Sequence, residues 1–317
     1  MKSRGKKDFT LILFGGLGNQ LFQYAAAIFA SKKDSLYVDQ SLGKPRGSFA
    51  ADLFDFSLSE TVHENPKQKV SRSVSLLFLL LLKVSSKGNS PLVMRFFFRL
   101  IQSHLIGLFF RKYFNQRIFL NDGLGYDPKL SHLEDGRALI GCFHTYIWVD
   151  DKDTRDVLSN LKLRNKPAWI SELEILARSE NPTILHIRRG DYVGIPELGF
   201  LQKNYYLRAL AQLRKSEMFS RVWILTDDPD YVQKEFVGTE LEGARFILGN
   251  QKSASENLEV MRLGSSYILS NSTFSWWGAF LSYHPSPLVF CPSNWFLTRE
   301  NPKKMLPENW RQVRSLE

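Results

Sequence analysis

Cysteine is nearly absent from this 317-residue sequence, where only Cys142 and Cys291 occur. That excludes a disulfide scaffold and a cysteine-built zinc site. Long apolar runs are missing too. The longest, residues 76–82, falls far short of the roughly 20 residues that span a bilayer, and residues 92–110 are interrupted by Arg95, Arg99 and His104. No secretory signal is read at the start, because the apolar run 9–13 is short and ends in Gly15-Gly16. Acids are missing from one stretch. Between Pro66 and Asn121 lie Lys67, Lys69, Arg72, Lys83, Lys87, Arg95, Arg99, Arg111, Lys112 and Arg117 with no Asp or Glu among them. Without these ten cations the chain balances at 32 against 32, so the +10 net charge belongs to one segment. What is abundant is apolar material, 44% of the chain with 24 Phe, enough for a large core and too much for disorder.

Strand and helix patterns alternate along both halves. Residues 9–14 read as a strand entering a glycine turn, 19–31 as an alanine-rich helix and 36–38 as a second strand, a β-α-β opening. Residues 67–117 read as two helices separated by a breaker at 88–91, followed by a strand at 138–143 and a helix at 150–161. Polar stretches at 164–167 and 179–182 bracket one helix and mark a domain boundary. Beyond it strands at 184–187, 222–225, 245–248, 267–269 and 288–290 alternate with helices at 204–218, 230–236, 255–263 and 274–283. This alternation predicts parallel sheets covered on both faces. The expected architecture is two α/β domains, 1–165 and 180–317, facing each other across a cleft.

Three motifs of the second half fall at expected carboxyl ends of strands, where ligands of parallel sheets bind. In His186-Ile187-Arg188-Arg189-Gly190-Asp191-Tyr192, one arginine can grip phosphate while the other pairs with Asp191; the bland alternative is a structural salt bridge. In Thr226-Asp227-Asp228-Pro229, Asp228 suits a helix cap, and Asp227 is expected to remain open to a base or ribose. In the run from Asn271 to Gly278, Ser272 or Thr273 caps a helix whose first N–H groups can face phosphate, and Trp276-Trp277 read first as core. The opening Gly15-Gly16-Leu17-Gly18-Asn19-Gln20 brings backbone close to a ligand or simply makes a tight turn. As a dinucleotide fingerprint it fails at Leu21, where a third glycine belongs, although Asp39 lies about 20 residues on. No P-loop lysine and no H-E-x-x-H helix occurs. The anion is therefore expected to be neutralised by protein cations, with no metal.

Taken together, GGLGNQLFQYA, HIRRGDY, LTDDPDY, NSTFSWWGAFLS and CPSNWF, in this order from Gly15 to Phe296, make the chain resemble the bacterial α-1,2-fucosyltransferases of glycosyltransferase family 11. The resemblance implies a GT-B-like pair of Rossmann-like domains, GDP-β-L-fucose as donor, inversion at the anomeric carbon, and no metal or other cofactor. It implies Arg188 on the departing diphosphate, His186 with Asp227 or Asp228 on the guanosine, Thr273 and Ser275 beside the β-phosphate, and Gly18 with Asn19 approaching from the first domain. The donor-binding set is then Gly16, Gly18, Asn19, Gln20, His186, Arg188, Arg189, Asp191, Asp227, Asp228, Ser272, Thr273, Ser275 and Trp276. The family's GYFQS-like stretch is here Gly141-Cys142-Phe143-His144-Thr145, and the basic apolar segment matches none of its motifs. His144 and Asp39, both at expected strand ends, are the candidates for general base.

The acceptor implied is a galactose-type hydroxyl of an oligosaccharide or lipid-linked glycan. The expected location is cytoplasmic, with peripheral contact on the inner face of the plasma membrane, since basic residues flanking apolar helices suit anionic lipid heads. The alternatives are another GDP-sugar transferase, a dinucleotide oxidoreductase built on the first β-α-β, and a nucleic-acid binder. The last is disfavoured, because the basic segment is rich in Leu and Phe and lacks a recognised nucleic-acid motif.

Overall fold

The computed structural model describes residues 8–32, 34–40, 52–64, 117–121, 124–133, 136–194, 198–236, 238–239, 241, 243–247, 252–298 and 300–315. The chain divides into two compact units: Met1–Leu161 with Pro302–Met305, and Lys162–Asn301 with Leu306–Glu317. The helix bracketed by polar stretches belongs to the second unit. The two helices expected within 67–117, and the membrane contact argued from them, lie outside the described residues, apart from Arg117, which opens a strand.

The first unit holds strands β1 (Asp8–Ile12), β2 (Ser35–Asp39), β3 (Val62–Glu64), β4 (Arg117–Leu120) and β5 (Arg137–Ile140). Their order is β3-β2-β1-β5-β4, every pair parallel. Helix α1 (Leu17–Ser31) is buried almost all round, as a central helix must be when its sequence is apolar on every face. Buried Gln20 and Gln23 interrupt that surface, and both bind the loop before the helix. Gln23 pairs with both main-chain groups of Phe14, accepting from its N–H at 3.1 Å and donating to its carbonyl at 3.0 Å. Gln20 donates to Gly15 O at 2.8 Å and accepts from the Leu53 N–H at 3.1 Å. Short helices α2 (Tyr146–Asp150) and α3 (Lys152–Ser159) close the unit where one helix was expected; Thr145 and Asp151 cap them.

In the second unit, α4 (Ala168–Glu180) precedes β6 (Thr183–Ile187), α5 (Lys203–Leu213), β7 (Val222–Thr226), α6 (Pro229–Glu235) and β8 (Arg245–Phe246). Then come α7 (Ala254–Met261), β9 (Ser266–Ile268), α8 (Thr273–Phe280), β10 (Leu288–Pro292) and β11 (Arg311–Val313). The sheet runs β11-β10-β9-β6-β7-β8, again parallel throughout. All five residues of β6 are buried, the signature of a strand covered on both faces. Helix α5 stops five residues earlier than expected. Both the N–H and the hydroxyl of Ser216 close on the Leu213 carbonyl and divert it from the helix. Strand β5 also ends early, at Ile140. Gly141 sits at φ 156° with Asn121 so close that a Cβ would meet its side chain at 2.4 Å, and Phe143 turns left-handed at φ 56°.

The two sheets share a topological property. In each, the chain builds one flank from a central strand and then returns to build the other. The strand order reverses between β1 and β5 in the first unit, and between β6 and β9 in the second. In open parallel sheets, ligands bind at such switch points, beyond the carboxyl ends of the strands.

Candidate active site

The second unit's switch point is where its motifs converge. His186, near the end of β6, is buried, and its Nδ1 lies 2.9 Å from Ser270 Oγ and 2.8 Å from Ser275 Oγ. Ser275 also accepts from the Ser270 N–H at 3.2 Å, so the hydroxyls past β9 and in the first turn of α8 hold the imidazole ring. Burial, and then the charge of Arg188, push the pKa of His186 down to about 3. The ring is neutral across the working range and acts by hydrogen bonding. Ser272 caps α8 by accepting from the Phe274 N–H at 3.3 Å, and the Tyr192 hydroxyl bonds to Ser272. Thr273 and Phe274 open that helix, half-buried.

Both arginines are engaged. Arg188 reaches Asp191 Oδ1 at 2.6 Å and Asp227 Oδ2 at 3.0 Å. Burial works against its charge, but Asp227 and Asp191 outweigh that and leave its pKa raised. Arg189 donates its N–H to Asp227 Oδ1 at 2.8 Å and its Nε to Asp228 Oδ2 at 3.1 Å. Its guanidinium stacks 3.5 Å from the Tyr231 ring centre and 4.3 Å from that of Phe200. The expected division of labour, one arginine for phosphate and the other for Asp191, is therefore corrected. Arg188 itself pairs with Asp191, and Arg189 is locked to Asp228 between two aromatic rings.

Asp227 is corrected too. It was expected to stand open, but it accepts from both arginines, and only a glycine at 190 allows this, because a Cβ there would lie 2.3 Å from its carboxylate. Asp228 does cap α6, accepting from the Tyr231 N–H at 3.1 Å. The Asp228-Pro229-Asp230 spacing could let two carboxylates share a cation, yet Asp228 is spent on the cap and on Arg189. Trp276, counted among the donor contacts by resemblance, is wholly buried, with Phe280 at 4.8 Å and Trp310 at 5.3 Å between ring centres. It offers no face to a ligand, and its first reading as core holds.

Beside these groups is a hollow of about 180 Å³ lined by His186, Leu225, Thr226, Asp227, Ala254, Asn257 and Phe274. Apolar walls with a few polar edges are what a nucleobase needs. Asn257 was not singled out from sequence. It comes from the first turn of α7, whose start is fixed by a reciprocal capping pair, Ser253 with Glu256. That S-x-x-E spacing was the available signal. Asn271 was also passed over. Its buried amide donates to the carbonyls of Leu198, Gly199 and Trp295, tying three loops together beside α8.

In the first unit, the switch point brings together two residues 125 positions apart. His144 Nε2 lies 3.0 Å from Asn19 Oδ1, and the imidazole ring packs 5.2 Å from that of Phe22. Gly16 is the N-cap of α1 and has no side chain to cap it, while Gly18 is buried in the first turn. Gln20, expected at the donor, is instead turned inward with both ends of its amide used by the protein. Asp39 lies at the end of β2 and is 1% exposed.

A parallel sheet edge presenting a guanidinium, a neutral imidazole, hydroxyls and a helix start beside such a hollow has the chemistry to hold a phosphorylated nucleoside. Glycosyl transferase family 11 matches residues 153–312, half of the chain and all of the second unit's site, and the chain belongs to that family. It is a glycosyltransferase. It is 24% identical to the O-antigen biosynthesis glycosyltransferase WbnK of Escherichia coli, over 94% of this chain and 98% of that protein. It is 30% identical to an Escherichia coli alpha-1,2-colitosyltransferase, over 45% of this chain and 51% of that one. A solved structure, the fucosyltransferase NodZ from Bradyrhizobium, aligns with 87% of this chain and 94% of its own at a TM-score of 0.49 and 13% identity.

Proposed function

We propose that this chain transfers L-fucose from GDP-β-L-fucose to a galactose-type hydroxyl of an oligosaccharide or lipid-linked glycan, inverting the anomeric carbon to give an α-1,2 linkage. The observation that carries this reading is the convergence of Arg188, neutral His186 and the α8 start on one switch point beside the Asn257 hollow. Family membership supports it, as do the names of the two relatives, one assigned to O-antigen biosynthesis and one to α-1,2 transfer.

As the sugar departs, negative charge grows on the diphosphate. Arg188 is aimed by Asp227, which Gly190 and the Arg189 N–H hold in place. The more exposed Asp191 is the partner that phosphate oxygens displace. A guanidinium then makes forked contacts that strengthen as the charge develops. The first N–H groups of α8 add a partial positive charge to the same oxygens. His186 contributes no charge of its own, so the cationic term rests on Arg188. The nucleobase fits the hollow, with Asn257 and Thr226 at its polar edge.

A second donor is favoured by one finding, the colitosyl group in the name of the 30% identical relative. Purified protein should be offered GDP-fucose and a colitosyl donor with a panel of galactose-terminated acceptors, and the linkage read by NMR. Transfer of fucose in α-1,2 linkage, undiminished in EDTA, is expected. Transfer of colitose alone would reassign the donor, and loss in EDTA with recovery in Mn²⁺ would overturn metal independence.

Peripheral docking on the cytoplasmic membrane face belongs to the same proposal and rests on the ten cations between Pro66 and Asn121. No helix among the described residues is long and apolar enough to cross a membrane. Flotation with anionic vesicles that weakens in high salt is the expected result; equal flotation with neutral vesicles would remove the electrostatic part.

A further inference from the structure

In the second unit the pairing of β6 with β9 ends at Leu185 and Ile268, so the gap beyond those residues is set by side chains. Two of them cross it. His186, which is buried, bonds through Nδ1 to Ser270 and Ser275. Tyr192, which is half-buried, makes the second crossing from the 3-10 turn Gly190–Gly194. Its hydroxyl bonds to the side chain of Ser272, the cap of α8. Ser272 Oγ also accepts from the Phe274 N–H, so the tyrosine is attached to the group that orders the first turn of that helix. The same tyrosine supports Arg188, whose guanidinium carbon lies 5.6 Å from the ring centre, within reach of a cation–π contact.

We propose that Tyr192 is a positioning residue of the donor site: its ring and hydroxyl hold the Arg188 guanidinium and the first turn of α8 at one spacing, so that both meet the same diphosphate. The inference rests on the donor reading above. A guanidinium and helix N–H groups act on one anion only if their separation matches it, and groups already in place need no reorganisation as charge develops. The other partners of Arg188 are the carboxylates of Asp191 and Asp227, with which an arriving phosphate competes. An aromatic face carries no formal charge and is not displaced in that exchange. Once Asp191 is released, the turn loses its ion pair, and the bond to Ser272 keeps it from following the carboxylate outward. Burial raises the pKa of the Tyr192 hydroxyl, so it stays protonated while it does this.

The test uses the full chain with Tyr192→Phe, Tyr192→Ala, Ser272→Ala and the double variant Tyr192→Phe/Ser272→Ala. Val193→Ala, which trims an exposed side chain of the same turn, is the control. Calorimetry reads GDP affinity directly and guanosine affinity by competition against GDP, with thermal unfolding followed in parallel. Tyr192→Phe keeps the ring and loses the hydroxyl bond, so GDP should bind about 2- to 10-fold more weakly. Guanosine, which carries no phosphate, should bind as it does to wild type. Tyr192→Ala should weaken GDP by a further factor of about 2 to 5 as the cation–π contact goes. In the Ser272→Ala background, adding Tyr192→Phe should change GDP affinity by less than about twofold, because the bond between them is already gone. Val193→Ala should leave both affinities unchanged. A tyrosine that serves the fold alone lowers the melting temperature and leaves the ratio of GDP to guanosine affinity intact; that result overturns the role, as does full additivity in the double variant. Wild-type chain that binds no GDP overturns the donor reading itself, and this inference with it.

Discussion

Asp227 meets both arginines only because residue 190 has no side chain, so one missing methyl decides how Arg188 is aimed. If Arg188 carries the leaving-group charge, Arg188→Ala should cost roughly 2–5 kcal/mol of transition-state stabilisation with the circular dichroism unchanged. Arg188→Lys should not rescue it, since an ammonium cannot make the forked contact. Near wild-type turnover of the alanine variant would sink the role. His186 makes a separate prediction about stability. Its folded pKa, about 3, lies below the unfolded value of 6.5, so below pH 6.5 the unfolded chain binds the extra proton. The fold should lose stability as pH falls from 6.5 towards 3, by at most about 1.4 kcal/mol per pH unit from this group. Melting curves of wild type and His186→Asn should converge in slope only above pH 7. At this scale, the sequence shows which residues gather but not which are spent on one another. Arg188, His186 and Ser275 could be named from motif position. The engagement of Asp227 could not, because it depends on a backbone N–H and a glycine, and the inward turn of Gln20 depends on a partner 33 positions away.

Helix and strand elements were legible wherever burial is two-sided. Runs such as those in β1, β6 and β7 are apolar without alternation, as parallel strands between helix layers must be. The elements missed, β3, β4 and β11, are short: three or four residues each, with β3 and β4 at the two edges of one sheet and β11 at an edge of the other. A short strand that buries little, as β3 and β11 do, shows neither a period nor an apolar run; its existence is decided by its neighbour. The start of α1 carries a prediction of its own. Gln23 supplies the Phe14 main chain with the pair of hydrogen bonds that another strand would have given. Gln23→Leu should cost roughly 1–3 kcal/mol for each main-chain group left short of its partner. Chemical denaturation of the variant should show that loss at an unchanged m-value. Unaltered stability would mean that water or a neighbouring group takes over the amide's role.

For the molecule as a whole, ligand binding should be visible as stability. Anything that binds only the native chain raises its unfolding free energy by mass action, about 2.7 kcal/mol at a concentration 100 times Kd. GDP should therefore raise the melting temperature by several degrees and NAD(H) should not; the reverse outcome would restore the oxidoreductase alternative. The path of the chain near its carboxyl end has another kind of consequence. After building β10 in the second unit, the chain contributes Pro302–Met305 to the first unit and then returns for β11. The main-chain carbonyl of Lys304 accepts there from the Thr145 hydroxyl at 2.7 Å and from the Tyr146 N–H at 2.8 Å. The two units are thus sewn by three passages of chain. A chimaera made at a single junction near residue 162 would carry a foreign strap across the His144 loop. Recombination between relatives, in the laboratory or in evolution, should succeed only when residues 302–305 travel with the amino-terminal half.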